Sequence, residues 1–179
     1  VLAILAFSCV PESQTMGDAG QTLVKMTPTG FNLIPLDAAT TLQKALVFEI
    51  RKDAHSDASM DATTTVVVKK DDAILTAYND DYGTSFIPLP TSLGTTSPAP
   101  AGDGTMNLVF ENGIYVIPIV LSVPNASLFD FAEAYALAYR VTTLTGEGAY
   151  SKAADDTVIV QVMVKNKYDG TYDVQEVTP

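Results

Sequence analysis

One histidine, one cysteine and no tryptophan leave this chain few ways to do chemistry. His55 sits in a polar stretch between Asp53 and Asp57, a triplet from which a metal site could be started. Zinc and similar ions need three or four convergent ligands held by an outer layer of hydrogen bonds. A lone imidazole with two loop aspartates reads instead as solvated surface. A Ser-His-Asp hydrolase would have to recruit the same His55, and nothing around it supplies a nucleophile motif. No GxSxG, P-loop or GxGxxG segment occurs in the sequence. The expectation is a chain with no catalytic residue, no metal and no cofactor, and therefore not an enzyme.

Acidic pairs invite sharper readings. Asp71-Asp72, Asp80-Asp81 and Asp155-Asp156 could contribute to a calcium site, which wants six to eight oxygens. None matches the EF-hand spacing, and adjacent residues of a strand point to opposite faces. Caps and turns account for all three pairs. As glycosidase carboxylates they would need a defined separation across a sugar cleft, and a small domain without histidine support offers none.

Sugar rings stack on exposed aromatic side chains, with tryptophan the usual platform; this chain has eight tyrosines instead. Tyr115, Tyr135 and Tyr139 fall in strand-like runs, where the ring is buried and the hydroxyl reaches outward. Tyr78, Tyr82 and Tyr150 fall in or beside loops and are the remaining platforms. Tyr78, Asn79, Asp80 and Tyr82 are thus the ligand-binding candidates, and weak ones, with millimolar affinity for oligosaccharides at best. The Asn-Ala-Ser sequon at 125–127 carries no weight.

The N-terminus speaks to location. The apolar run Val1-Leu-Ala-Ile-Leu-Ala-Phe-Ser8 ends at the single cysteine, Cys9, and gives way at once to polar sequence. It is far short of the roughly 20 residues that span a bilayer. It has the form of a bacterial lipoprotein signal, cleaved before a cysteine that then carries acyl chains. A buried strand, or a signal core with an incidental cysteine, is the alternative. Ala6 at the -3 position makes the lipobox imperfect, and the missing initiator Met and basic region imply truncation. Position at the extreme terminus, the lack of a disulfide partner and the linker-like residues 10–21 favour the lipoprotein form. Residues 1–8, where retained, should pack poorly.

Composition bounds the rest. A length of 179 residues suits one domain, and 47% hydrophobic content can build a core. A net charge of -11 excludes a nucleic-acid partner, which demands a basic stripe, and disfavours electrostatic docking on anionic lipid. Membrane attachment would have to come through acylated Cys9.

Apolar residues recur with the strand period of two in ALVFEIR (45–51), YALAYRVTTL (135–144) and TVIVQVMVKN (157–166), and TTTVVVKK (63–70) reads as a further strand. Leu23–Met26 and Phe31–Leu36 are shorter strand candidates around a Thr-Pro-Thr-Gly break. MNLVF (106–110) and IYVIPIVLS (114–122) flank Asn112-Gly113 and read as a hairpin, with Pro118 marking an edge or bulge. Asp71–Tyr78 reads as a short capped helix, residues 53–62 as a polar loop, and 88–104 as a long loop or edge strand. SLFDFAEAYALAYR (127–140) has helical propensity, but its Tyr and Val content from 135 favours a turn followed by a strand. About seven strands and one short helix point to an all-β, antiparallel, immunoglobulin-like sandwich. Leu46, Phe48, Ile50, Leu108, Phe110, Leu137, Val160 and Val162 should lie in its core. The divisions expected are a signal remnant at 1–9, a linker at 10–27, the sandwich at 28–165 and the start of a truncated second domain at 166–179.

The segments VVVKKDDAILTAYNDDYGTSFIPLP, YALAYRVTT and VIVQVMVKNKYDGTY resemble the N-terminal immunoglobulin-like domain of unknown function found in Bacteroides-type surface lipoproteins of polysaccharide utilisation. The similarity spans most of 28–167. Its more specific elements are Ala77-Tyr78-Asn79, the YALAYRV strand and KNKYDGTY (165–172). The resemblance implies an outer-membrane lipoprotein, on the cell surface or the periplasmic face, whose KNKYDG segment leads into a second, often lipocalin-like, domain. It implies no transferable catalytic or ligand residue. Any glycan would then be bound through that missing C-terminal domain.

Three functions remain: a non-catalytic spacer or platform for glycan capture, a pilin-like or adhesive subunit that exchanges strands, and an accessory N-terminal domain of a glycoside hydrolase. Anchoring can be checked directly. Cys9→Ala should move the protein from the membrane to the soluble fraction of the native host. A variant that stays cleaved and membrane-bound would refute the lipobox.

Overall fold

The structure, a computed structural model, describes residues 20–150 and 156–165. The lipidation residue Cys9, the signal remnant, most of the linker, Asp155 and the segment 166–179 lie outside the described residues, as does the side chain of Tyr150.

Two sheets face one another. The first contains β1 (Leu23–Thr27), β3 (Gln43–Asp53), β6 (Thr95–Ser97), β8 (Val116–Val123) and β10 (Ala149–Tyr150), in the order β10-β1-β3-β8-β6. The second contains β2 (Gly30–Asp37), β4 (Thr64–Lys70), β7 (Thr105–Phe110), β9 (Ala134–Gly146) and β11 (Thr157–Lys165), in the order β2-β11-β9-β4-β7. A short strand, β5 (Phe86–Pro88), runs parallel to the start of β9. Two helices, α1 (Asp57–Asp61) and α2 (Ala73–Tyr82), and a 3-10 turn at Ala126–Leu128 complete the described elements. This is the immunoglobulin-like sandwich expected from the alternation. It has eleven strands and two helices among the described residues, where about seven and one were expected. Parallel pairing of β2 with β11 and of β1 with β10 interrupts the otherwise mainly antiparallel sheets.

The core fills the space between the sheets. Inward positions of β4, β7, β9 and β11, among them Val66, Val68, Leu108, Phe110, Leu137, Val160 and Val162, are buried. They meet Val24, Phe48, Ile50, Ile119 and Leu121 from the opposite sheet. Side chains alternate across each strand, so one row is buried while its neighbours face outward. Gly146 is required where β9 ends: its φ is +89°, and a Cβ there would lie 2.3 Å from the Thr63 carbonyl oxygen.

Four expectations change. Leu46 is not in the core but 49% exposed, because the pairing of β3 with β8 slips between Leu46 and Phe48. Val47 is the extra residue of this bulge and is buried beside Phe48, which reverses the phase of alternation before it. Residues 106–122 are two strands but not a hairpin: β7 pairs with β4, and β8 with β3 and β6. The Asn112-Gly113 turn therefore carries the chain from one sheet to the other. The sandwich also begins before residue 28, since β1 pairs with β3 and the chain changes sheets at Pro28. Lastly, 57–61 of the polar loop is helical, closed by a capping box between Ser56 and Ser59.

Pro118 fits its place. It pairs with Glu49 on one side, while β6 reaches only residues 120–122 on the other. Residues 126–140 form the short turn and then β9, as the Tyr and Val content indicated.

The bulge gives two neighbouring apolar residues opposite fates. Phe48→Ala should cost about 3–5 kcal/mol, whereas Leu46→Ala should stay within about 0.5 kcal/mol. Urea denaturation of both variants checks this, and equal losses would contradict the register.

Candidate functional site

Helix α2 lies across the outer surface of the second sheet. The small residues Ala136 and Ala138 of β9 leave room for it, and Leu75 fills the space between them, Phe86 and Ile159. Asp71 opens the helix, its carboxylate accepting from the Ala73 N–H at 3.2 Å while pairing with Arg140 at 2.7 Å. Gly83 closes it in the left-handed region, donating its N–H to the Asn79 carbonyl at 2.8 Å.

Tyr78 and Tyr82 are four residues apart and so share one helical face. Their rings stack at 4.4 Å between centroids. Phe31 of β2 stacks on Tyr78 at 5.7 Å and 14°, and Phe86 of β5 closes the group at 5.7 Å from Phe31 and 5.9 Å from Tyr78. Phe86 is buried, Tyr78 half-buried, and Tyr82 is 69% exposed. The result is a graded stack that runs from the core to solvent.

The four candidates thus separate. Tyr78 and Tyr82 belong to the stack. Asn79 is turned inward: its amide donates to the Phe86 carbonyl at 2.9 Å and accepts from the Phe86 N–H at 2.9 Å and the Thr84 hydroxyl at 2.8 Å. It clamps β5 to the helix, with its oxygen and one of its two amide N–H groups committed there. Asp80 points to solvent beside Asp81, away from any partner among the described residues. Sequence reasoning missed Phe31 and Phe86. The signal for Phe31 was the alternation Phe31-Asn32-Leu33-Ile34, which puts Phe31 and Leu33 opposite the buried Ile34 and Leu36.

His55 also differs from expectation. It is half-buried rather than solvated, with Nδ1 at 3.0 Å from the Thr22 hydroxyl and 3.1 Å from that of Ser59. Thr22 further donates to Glu147 at 3.3 Å. Gly20 packs so closely that a Cβ would lie 2.6 Å from that of His55. The Ser59 oxygen is buried and committed to the cap, 2.6 Å from that of Ser56. The cluster braces the incoming chain against α1. Beside it Lys52, 3% exposed, donates to the Ala62 carbonyl at the end of that helix.

Of the acidic pairs, Asp72 lies near Lys70 and Asp156 accepts from the Thr157 hydroxyl. Among the described residues no group of three or more His, Cys, Asp or Glu converges as a metal would require. A cavity of about 140 Å³ is lined by residues of both sheets, among them Thr96, Leu121, Leu137 and Tyr139. Burial pushes the Tyr139 hydroxyl above its usual pKa while Thr96 opposes the shift.

A family model described as "-like, N-terminal domain" matches residues 27–148, well over half the sequence. The chain belongs to this family. Its membership bears out the resemblance read from the segments between Val66 and Thr143. No curated protein matches the sequence. Among solved structures, a multidomain protein including DUF1735 from Bacteroides ovatus shares the fold at TM-score 0.52 and 13% identity, with 83% of this chain and 46% of that one covered. A protein of unknown function from the same species aligns at TM-score 0.50 and 10% identity, over 86% of this chain and 52% of that one. A third, provisionally described as carbohydrate-binding and also from Bacteroides ovatus, aligns at 0.49 and 12%, over 78% and 36%. This family domain therefore spans about half or less of the length of these three structures. Among the described residues no helix is long and apolar enough to cross a membrane.

Asn79→Ala should strand the Phe86 N–H and cost about 1–3 kcal/mol, while Tyr82→Ala should cost about 1 kcal/mol or less. Thermal denaturation of the two variants distinguishes clamp from platform.

Proposed function

We propose that this domain is a non-catalytic spacer and platform in a bacterial surface lipoprotein of glycan capture. It would hold a following functional domain away from the outer membrane to which acylated Cys9 ties the chain. The observation that carries this reading is the path of the chain. Leu23, at the start of β1, pairs with Asp53 at the end of β3. Lys165, at the end of β11, pairs with Asp37, whose backbone exchanges two hydrogen bonds with the side chain of Gln43 at the start of β3. The chain thus comes in and leaves at opposite ends of an 11-residue strand. At about 3.3 Å per residue, that separates the two poles by roughly 33 Å.

Membership of a family of N-terminal domains supports a partner downstream. The brace of Gly20, Thr22, His55 and Glu147 supports a load-bearing junction where the tether joins the sandwich. Against hydrolysis, the imidazole and the buried serine are spent on that brace. Calorimetric titration of the 179-residue chain against host and plant glycans tests the reading. No micromolar binding and no turnover are expected; a micromolar hit would overturn the reading, and its loss in Tyr82→Ala would place the site beside α2.

A further inference from the structure

We infer that the outward face of β2 and β11, between Tyr82 and Phe131, is the docking surface for the domain that follows β11 in the same polypeptide. The inference rests on the spacer reading to the extent that such a domain exists. Five of the twelve large apolar side chains exposed among the described residues lie on this face: Phe31, Leu33, Tyr82, Phe131 and Met163. They are continuous. Tyr82 stacks through Tyr78 onto Phe31, and Leu33 follows two residues along the same face of β2. Leu33 and Pro35 pair with Gln161 and Met163 of β11, and these two share a shallow cavity with Phe131. From Phe31 to Met163 the outward positions of β2 and β11 carry no charge. Asp80 and Asp81 flank one end, Asp130 and Glu133 lie beside Phe131 at the other, and the pair Asp37 and Lys165 closes the two strands.

An uncharged apolar stripe with a charged rim, acidic but for Lys165, marks an interaction surface. Two observations name its occupant. The chain passes Lys165 two residues beyond Met163 and continues for 14 residues to Pro179, so a domain that follows in the same polypeptide is tethered close to the stripe at high effective concentration. And the matching family is one of N-terminal domains. The charges give the partner face its chemistry: an apolar centre bordered by lysine or arginine.

The test uses the full chain, from Cys9 through the domain encoded beyond Pro179, with and without Leu33→Glu and Met163→Glu together. The native chain should scatter X-rays as one compact particle and melt in one transition. The double variant should show a larger radius of gyration and separate transitions. In the 179-residue chain the same substitutions should leave the melting temperature unchanged, since both side chains are already exposed. An unchanged radius in the full-length variant, or a reading frame that stops close to Pro179, would overturn the inference. A concentration-dependent dimer of the 179-residue chain, lost in the variant, would reassign the stripe to a second copy and overturn it too. Glycan binding by the isolated chain would sink the spacer reading alone, so the two fail separately.

Discussion

Phe48 and Tyr139 meet at the centre of the molecule, one ring from each sheet, with centroids 5.2 Å apart. Both side chains are fully buried. Neither sheet could bury its apolar face alone, so everything else in the fold follows from bringing these two surfaces together and excluding water from between them. Strand alternation sends every second side chain into that space. The bulge at Val47 is where the alternation of β3 is adjusted, so that Phe48 and Ile50 still point inward after the slip.

The second sheet has work on both faces. Its inner face forms the shared core, and its outer face carries α2 over Ala136, Ala138 and Ile159. The helix covers only part of that surface. Where it ends, the aromatic stack continues outward from Phe86 to Tyr82, and the uncovered remainder passes along β2 and β11 to the pole where described chain leaves. Pro35 removes a donor from this edge strand, which discourages further strand pairing there while leaving the side-chain face open.

The two poles are built differently. Where the chain comes in, polar groups brace Gly20 and Thr22 against α1, and Lys52 lies beneath with its ammonium on the last carbonyl of that helix. Where it leaves, Gln43 ties the Asp37 backbone to the start of β3, and the apolar side chains Leu33 and Met163 lie exposed beside that pole.

Much of this was already determined by sequence. Period-two alternation around Leu137 and Val160 specified strands and their buried faces, because a strand has only two sides. The segments around Tyr78 and Tyr139 also specified the family. What only the tertiary structure decided was pairing. Asn112-Gly113 looks the same in a hairpin as in a crossing between sheets, and only the partners β4 and β3 distinguish them. Leu46 and Phe48 share a pattern, and a one-residue slip against β8 separates their fates. The candidate site divides in the same way. Local sequence placed Tyr78, Asn79 and Tyr82 together on one helix. Phe31 joined them from more than forty residues away because parallel pairing of β2 with β11 carries it beside the helix, and non-local pairing leaves no mark in the spacing of residues along a chain.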